Sequence, residues 1–253
     1  MRVICLGTGT SQGIPVIGCR CEVCLSDDSR DQRMRSSIYV ETEGQYFLID
    51  IGPDFRSQML DNGLSKVDSI LLTHEHNDHV AGIDDIRPIN FYYKNDIPIF
   101  GLERVLDQLK TRFHYAFEEN KYPGAPTLGL HPISPGALEI DGVNIRVINI
   151  IHGQLPILGF RFNGLAYLTD VKTIPEEEME NLEDLDILIL SALRRKPHFS
   201  HLNLEEALDL IERIKPRRTY LTHISHLMGR HSDIEDELPS NVHLAYDGLE
   251  LII

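Results

Sequence analysis

Apolar residues recur along this chain in two rhythms, one of period two and one of period three to four, and their alternation predicts the elements. Short β-branched runs at Arg2–Gly7, Ser37–Glu41 and Tyr46–Asp50 read as strands, and the turn-like Thr42-Glu43-Gly44 joins the last two into a hairpin. From Asp54 to Asn62 the rhythm becomes helical, with Phe55, Met59 and Leu60 on one face and Gly63 as the stop. Val67–Leu72 is a buried strand that runs into Thr73-His74. A strand at Ile97–Phe100 and a helix at Glu103–Arg112 follow. The Pro and Gly residues between His114 and Pro135 break both rhythms and predict an irregular rim loop or lid. The second half shows strands at Leu138–Asn149, Leu158–Phe162, Ala166–Thr169, Ile187–Leu190, Thr219–Thr222, Val242–Tyr246 and Leu249–Ile252, with helices at Pro175–Leu182 and Leu204–Ile214. Asp247-Gly248, between the last two strands, reads as a hairpin turn without a catalytic part. Runs of strands with interspersed helices in both halves place the chain in the α/β (α+β) class, as two sheets packed face to face with helices outside. With no internal repeat and no linker-like stretch, residues 1–253 read as one domain.

Composition narrows the function classes. The 24 basic and 39 acidic residues give a net charge of −15, which argues against a surface that holds nucleic-acid phosphates by charge. No apolar run reaches the ~18–20 residues that span a bilayer, and Met1-Arg2-Val3-Ile4-Cys5 enters a strand pattern without a signal-peptide core. The expectation is a soluble, cytoplasmic protein with no membrane partner. Three of the four cysteines crowd into Cys19, Cys21 and Cys24, a spacing that in a reducing compartment suggests a metal before a disulfide; Cys5, in an apolar strand, reads as a buried small hydrophobe.

The candidate chemistry centres on His74-Glu75-His76-Asn77-Asp78-His79, at a strand-to-helix turn. Packing does not account for three imidazoles and the Asp78 carboxylate in six residues, because each buried ring nitrogen needs its own partner. Neutral imidazole and carboxylate suit divalent Zn, Mn or Fe. Alternate residues of a loop face opposite sides, so His74 and His76 can serve one ion while Asp78 and His79 serve a second. Asp50, at a strand end, is placed to accept the free ring N–H of a ligand histidine.

His74-x-His76-x-Asp78-His79 after a strand resembles the signature of the metallo-β-lactamase fold hydrolases. Later elements follow in that family's order: His152 after a strand, Asp170 at a strand end and His223 at another. The resemblance implies a four-layer αββα sandwich of two mixed sheets flanked by helices. It also implies His74, His76 and His152 on one active-site metal, Asp78, His79 and His223 on the other, and Asp170 bridging both. Thr8-Gly9-Thr10-Ser11-Gln12-Gly13, the cysteine cluster and Leu221-Thr222-His223-Ile224-Ser225-His226 are similar to the phosphoribosyl cyclic phosphate phosphodiesterase (PhnP) branch. That implies a structural zinc on Cys19, Cys21, Cys24 and His226. It further implies a general acid at His201, with His198 as the fallback.

The activity so implied is metal-dependent hydrolysis of a small cyclic phosphate ester such as 5-phosphoribosyl 1,2-cyclic phosphate, in phosphonate metabolism. The expected cofactors are two active-site ions (Zn, Mn or Fe) and one structural zinc. The expected partner is a small phosphate ester, with no nucleic acid, and a homodimer is an open expectation. Arg33, Arg35, Arg194, Arg195 and Arg230 are candidates for a second substrate phosphate. Two rivals share the fold: a tRNA 3′-end endonuclease and a non-catalytic metal-binding relative of pyrroloquinoline-quinone biogenesis proteins. Residues 114–135 carry a single Lys or Arg, Lys121, which disfavours a tRNA-holding arm.

Overall fold

In the computed structural model, which describes residues 1–118 and 120–253, the two rhythms become sheets and helices. The first half supplies β1 (Arg2–Gly7), β2 (Ser37–Thr42), β3 (Gln45–Ile49), β4 (Ser69–Leu71), β5 (Ile97–Gly101) and β6 (Leu128–Pro132). The second supplies β7 (Gly136–Ile140), β8 (Val143–His152), β9 (Leu155–Phe162), β10 (Leu165–Leu168), β11 (Ile187–Ser191), β12 (Arg218–Thr222), β13 (Val242–Leu244) and β14 (Leu249–Ile252). They order as β14-β1-β2-β3-β4-β5-β6 in one sheet and β13-β12-β11-β10-β9-β8-β7 in the other. The helices are α1 (Phe55–Asp61), α2 (Asn77–Val80), α3 (Arg87–Tyr93), α4 (Glu103–Arg112), α5 (Leu204–Ile214) and α6 (His231–Glu235).

Alternation along β1 shows how the layers arise. Val3 and Cys5 face the second sheet, in a buried cluster with Phe47, Phe160, Phe162 and Tyr167, whereas Ile4 and Leu6 face outward onto α1, α3 and α4 through Phe55, Met59, Ile89 and Leu106. The outer face of the second sheet, with Leu188, Leu190 and Leu221, is covered by Leu204, Ala207, Ile211 and Ile214 of α5. Asn203 starts α5 with a capping box, its side chain accepting from the Glu206 N–H while the Glu206 carboxylate accepts from the Asn203 N–H. The result is the four-layer αββα sandwich, two mixed sheets flanked by helices. No helix among the described residues is long and apolar enough to cross a membrane.

The structure corrects four expectations. The Leu138–Asn149 run is two strands, since Asp141 and Gly142 adopt φ of 48° and 85° and turn β7 back onto β8; the apolar alternation changes phase there, from Leu138 and Ile140 to Val143, Ile145 and Val147, and reading the run as one strand passes over that shift. Residues 128–132 of the expected irregular loop instead form β6, an edge strand parallel to β5, where Pro132 is tolerated. Glu119, in the same stretch, lies outside the described residues. Pro175–Leu182 is a 3₁₀ turn over Glu176–Leu182 rather than an α-helix, and α3 escapes notice because Pro88, at a helix start, reads as a breaker.

Asp247-Gly248 is the fourth correction. It does not close a hairpin, because β13 pairs with β12 in one sheet and β14 with β1 in the other. Asp247 sits half-buried at this crossing and accepts from the Thr8 N–H (2.9 Å), the Thr8 hydroxyl (2.7 Å) and the Met34 N–H (2.6 Å). Burial lifts its carboxyl to about 6 although those donors and the Arg33 guanidinium pull the other way. Removing one acceptor that serves three donors leaves them all unpaired. Asp247→Ala should therefore cost about 3 kcal/mol or more of unfolding free energy, read from the urea midpoint at pH 7.

Candidate active site

Parallel strands carry the chemistry to one edge. β3 runs parallel to β4, and β10 to β11 and β12; β8 and β10, both antiparallel to β9, share a direction. Asp50, His74, His152, Asp170 and His223 all sit at or just beyond the carboxyl ends of these strands. Asp50, Asp170 and His223 adopt φ of 63°, 58° and 54°, the left-handed region that a non-glycine residue enters at a cost of about 1 kcal/mol or more. α2, which presents Asp78 and His79, is held against the loop after β3 by the Ile51 N–H donating to the His79 carbonyl at 2.8 Å. The approach is so close that a Cβ on Gly52 would lie 2.2 Å from the Asp78 carbonyl oxygen.

Two groups of donor atoms meet at Asp170. His74, His76 and His152 place one ring nitrogen each within 4.8 Å of one another, and so do the donor atoms of Asp78, His79 and His223. His79 Nε2 lies 3.2 Å from Asp78 Oδ2 and 3.3 Å from Asp170 Oδ2, while His223 Nδ1 lies 3.2 Å from that same Asp170 oxygen. The far ring nitrogens are tied down. His79 Nδ1 donates to Asp50 Oδ2 at 2.6 Å, His152 Nδ1 to the Ser200 carbonyl at 2.9 Å, and His74 Nδ1 meets the Thr73 hydroxyl at 2.9 Å. Asp50 also accepts from the Thr73 N–H and hydroxyl, so one buried carboxylate orients two rings.

Among the described residues the inward-facing nitrogens lie near carboxylates but make no hydrogen bond: His79 Nε2, His223 Nδ1 and His201 Nδ1 are buried without one. Orphaned imidazole nitrogens converging on a carboxylate are a donor set that fits divalent ions. Electrostatics agree. Burial and the neighbouring His79 ring drive His74 well below the ordinary histidine range, which keeps it neutral. His79 is held well above that range, since Asp78, Asp50 and Asp170 together overcome the cost of burying its charge; a divalent ion at Nε2 would take the place of that proton among the same three carboxylates. Asp170, although buried, stays ionised well below the usual carboxylate range because His223 and His79 flank it.

His201 stands beside this centre, its Nδ1 3.6 Å from Asp170 Oδ1 and its ring 4.5 Å from that of His152. Burial pulls it down to about 3. His198 lies farther out, 5.1 Å ring to ring from His201, with Nδ1 accepting from the Ser200 N–H at 3.3 Å. A cavity of about 660 Å³ opens here between the His152–Leu155 turn and Phe199-Ser200, with His76 in its wall. The five arginines considered for a second phosphate do not line it. Arg33 is buried against Thr8 and His231, Arg35 pairs with Asp54, Arg195 with Glu237 and Arg230 with Glu22, and Arg194 donates to the carbonyls of Lys196 and Pro197.

A separate cluster joins the amino-terminal loop to the segment after β12. His226 Nδ1 lies 3.3, 3.4 and 3.6 Å from the sulfurs of Cys19, Cys21 and Cys24. The Cys24 N–H and the His226 ring draw the Cys21 thiol down to about 6 against its partial burial, which favours the ligating thiolate. Cys5 is fully buried, its thiol raised to about 12.

Sequence reading assigned no role to Thr10, whose hydroxyl lies 3.2 Å from His223 Nε2, to Thr73, or to the Ser200 carbonyl. Adjacency to His74 was the available signal for Thr73. For a main-chain carbonyl there is none.

Residues 45–224 match the family model of the beta-lactamase superfamily domain, and the chain belongs to that superfamily. Over its whole length it is 43% identical to an octanoyltransferase of Porphyromonas gingivalis, covering 52% of that protein. The chain spans about half or less of the length of the curated relatives it matches first. Among solved structures, a diphosphatase from the PhnP family is 41% identical with a TM-score of 0.93, over 99% of this chain and 97% of that one. Zn²⁺-bound PqqB from Methylobacterium extorquens superposes with a TM-score of 0.81 over 100% of both chains, and at 18% identity it shows the fold alone. The fold is that of a PhnP-like metallo-β-lactamase-fold hydrolase.

Proposed function

We propose that this superfamily member is a dinuclear metal-dependent phosphoesterase acting on a small phosphodiester or diphosphate, with 5-phosphoribosyl 1,2-cyclic phosphate as the type that its sequence resemblance implies. One observation carries the reading: the Asp170 carboxylate shares donor groups, all atoms within 4.8 Å, with His74 and His79 and with His152 and His201, so it stands where the two donor groups meet. His74, His76 and His152 would hold one ion, Asp78, His79 and His223 the other, and Asp170 both. Two such ions, when bound, supply water activation and charge stabilisation at the phosphoryl oxygens. The chain's own residues do the rest. Asp50 and Thr73 fix the ring orientations, and the His201 ring faces the space above Asp170, where it can pass a proton to the departing oxygen. The 41% identical diphosphatase supports phosphorus chemistry. The convergence of seven N and O ligand side chains argues against a non-catalytic role, and the segment 114–135, with Lys121 its one Lys or Arg, against a tRNA arm.

A panel of phosphoribosyl cyclic phosphate, 2′,3′-cyclic nucleotides, bis(p-nitrophenyl) phosphate, dinucleoside diphosphates, precursor tRNA and p-nitrophenyl octanoate tests the reading. Turnover of small phosphate substrates with none on tRNA or the octanoyl ester is expected; selective ester turnover would overturn it. Elemental analysis should find up to three ions per chain. Cys21→Ser should lose one zinc and several degrees of Tm together; a stoichiometry of one, unchanged by that substitution, would remove the second and third sites.

A further inference from the structure

The cavity over the donor cluster has a wall that phosphate chemistry does not require. Phe199 is 83% exposed, an unusual state for a phenylalanine on a loop that also holds buried Ser200 and Leu202. Main-chain bonds on both sides hold the loop in place: Leu193 N–H donates to the Leu202 carbonyl (2.9 Å), Leu202 N–H to the Val171 carbonyl (2.7 Å) and Leu204 N–H to the Arg194 carbonyl (3.0 Å). The ring is therefore presented by an anchored segment. From it, ring-to-ring steps of 4.7, 5.1 and 4.5 Å lead through His198 and His201 to His152 at the donor cluster. Across the cavity stands the β8–β9 turn, where Gly153 (φ 63°) packs so tightly that a Cβ would lie 3.0 Å from Ser200 Cβ; Leu155 adds an apolar wall and Gln154 an exposed amide.

Cations are missing from this wall. Among the described residues no Lys or Arg lines the cavity, and three on neighbouring segments are committed: Lys172 to Glu206, Arg104 to Glu75 and the Pro156 carbonyl, Arg194 to two carbonyls. A sugar carrying a second phosphate would find nothing here to balance its charge, whereas a flat, weakly polar ring would find an aromatic face, an aliphatic side chain and one amide. A cavity of about 660 Å³ also accommodates a nucleoside beside the scissile phosphate.

We propose that Phe199 is a stacking platform for a planar ring on the non-reacting half of the substrate, which narrows the proposed substrate class to a nucleoside-bearing phosphodiester or diphosphate, in place of the bis-phosphorylated sugar that the sequence resemblance implies. This rests on the reading that the scissile phosphate sits over the donor cluster. Base–aromatic stacking is sensitive to removal of the ring by roughly five- to 150-fold in affinity.

The test is equilibrium binding of AMP and of ribose 5-phosphate to the metal-loaded protein, two probes that differ by the base alone. Wild type should bind AMP at least tenfold more tightly. Phe199→Ala should collapse that ratio to near one, and Phe199→Tyr should retain it. Equal affinities in wild type, or a ratio that survives Phe199→Ala, would overturn the assignment. If the binding ratio behaves as expected but no phosphoester is turned over, the stacking platform stands and the hydrolytic reading falls.

Discussion

Asp170→Asn should lower turnover of a small phosphodiester by about 10³-fold or more, a larger loss than from any single ligand histidine. Its carboxylate lies between both donor groups, with donor atoms within 4.8 Å of ring nitrogens of His74 and His152 on one side and of His79 on the other, so its charge can serve two sites. A lost terminal imidazole can be replaced in part by water. Asparagine keeps the shape but offers one neutral oxygen, and its amide would face nitrogens that themselves await a cation. Charge stabilisation and water activation of the kind forfeited are worth several kcal/mol each. Asparagine tolerates the left-handed backbone that Asp170 adopts, so the substitution isolates charge from conformation. Steady-state turnover beside metal content decides the matter: near-normal activity with both ions retained would remove Asp170 from the site.

The second large effect concerns proton delivery. His201→Ala should slow hydrolysis of an alkyl or ribosyl ester by ~10²–10⁴-fold and that of a p-nitrophenyl ester weakly, because nitrophenolate departs without a proton. Burial holds the His201 ring neutral in the free protein, at about 3, and an incoming phosphate anion beside it favours the charged form that burial disfavours. Both active-site ions should remain bound in the variant. Since His201 Nδ1 also lies 3.6 Å from Asp170 Oδ1, loss of an ion would reassign it as a ligand, and equal slowing of both ester types would make it a positioning residue.

What could be read from sequence follows from how local each signal is. The histidine-rich hexapeptide at residues 74–79 was legible because its donors are neighbours in the chain, and Leu204–Ile214 because an amphipathic period and a capping residue coincide. Residues 128–132 were not legible as β6, since an edge strand beside Pro and Gly carries little hydrophobic pattern of its own. Asp247 read as a turn because the exchange of sheets between β13 and β14 is a tertiary fact. The left-handed backbones of Asp50, Asp170 and His223 leave no trace in composition, though Asp is among the residues that tolerate them. Which of the five candidate arginines, if any, would reach the cavity was illegible for a related reason: charge can be counted in a sequence, but its partners cannot.

The three-residue spacing of His223 and His226 has one more consequence. A single short segment presents a donor to each of the two candidate metal-binding groups, and it is clamped at its centre, with Ile224 N–H donating to the Thr8 carbonyl and Thr10 N–H to the Ile224 carbonyl. If both groups bind ions as proposed, occupancy of the cysteine cluster and affinity at the Asp78–His79–His223 group would be linked quantities. Thermodynamic reciprocity requires that whatever factor zinc on the thiolates adds to active-site ion binding, active-site ions return to zinc retention. An enzyme so built would surrender its ions cooperatively to a chelator, its apparent metal affinity a property of the pair rather than of either site.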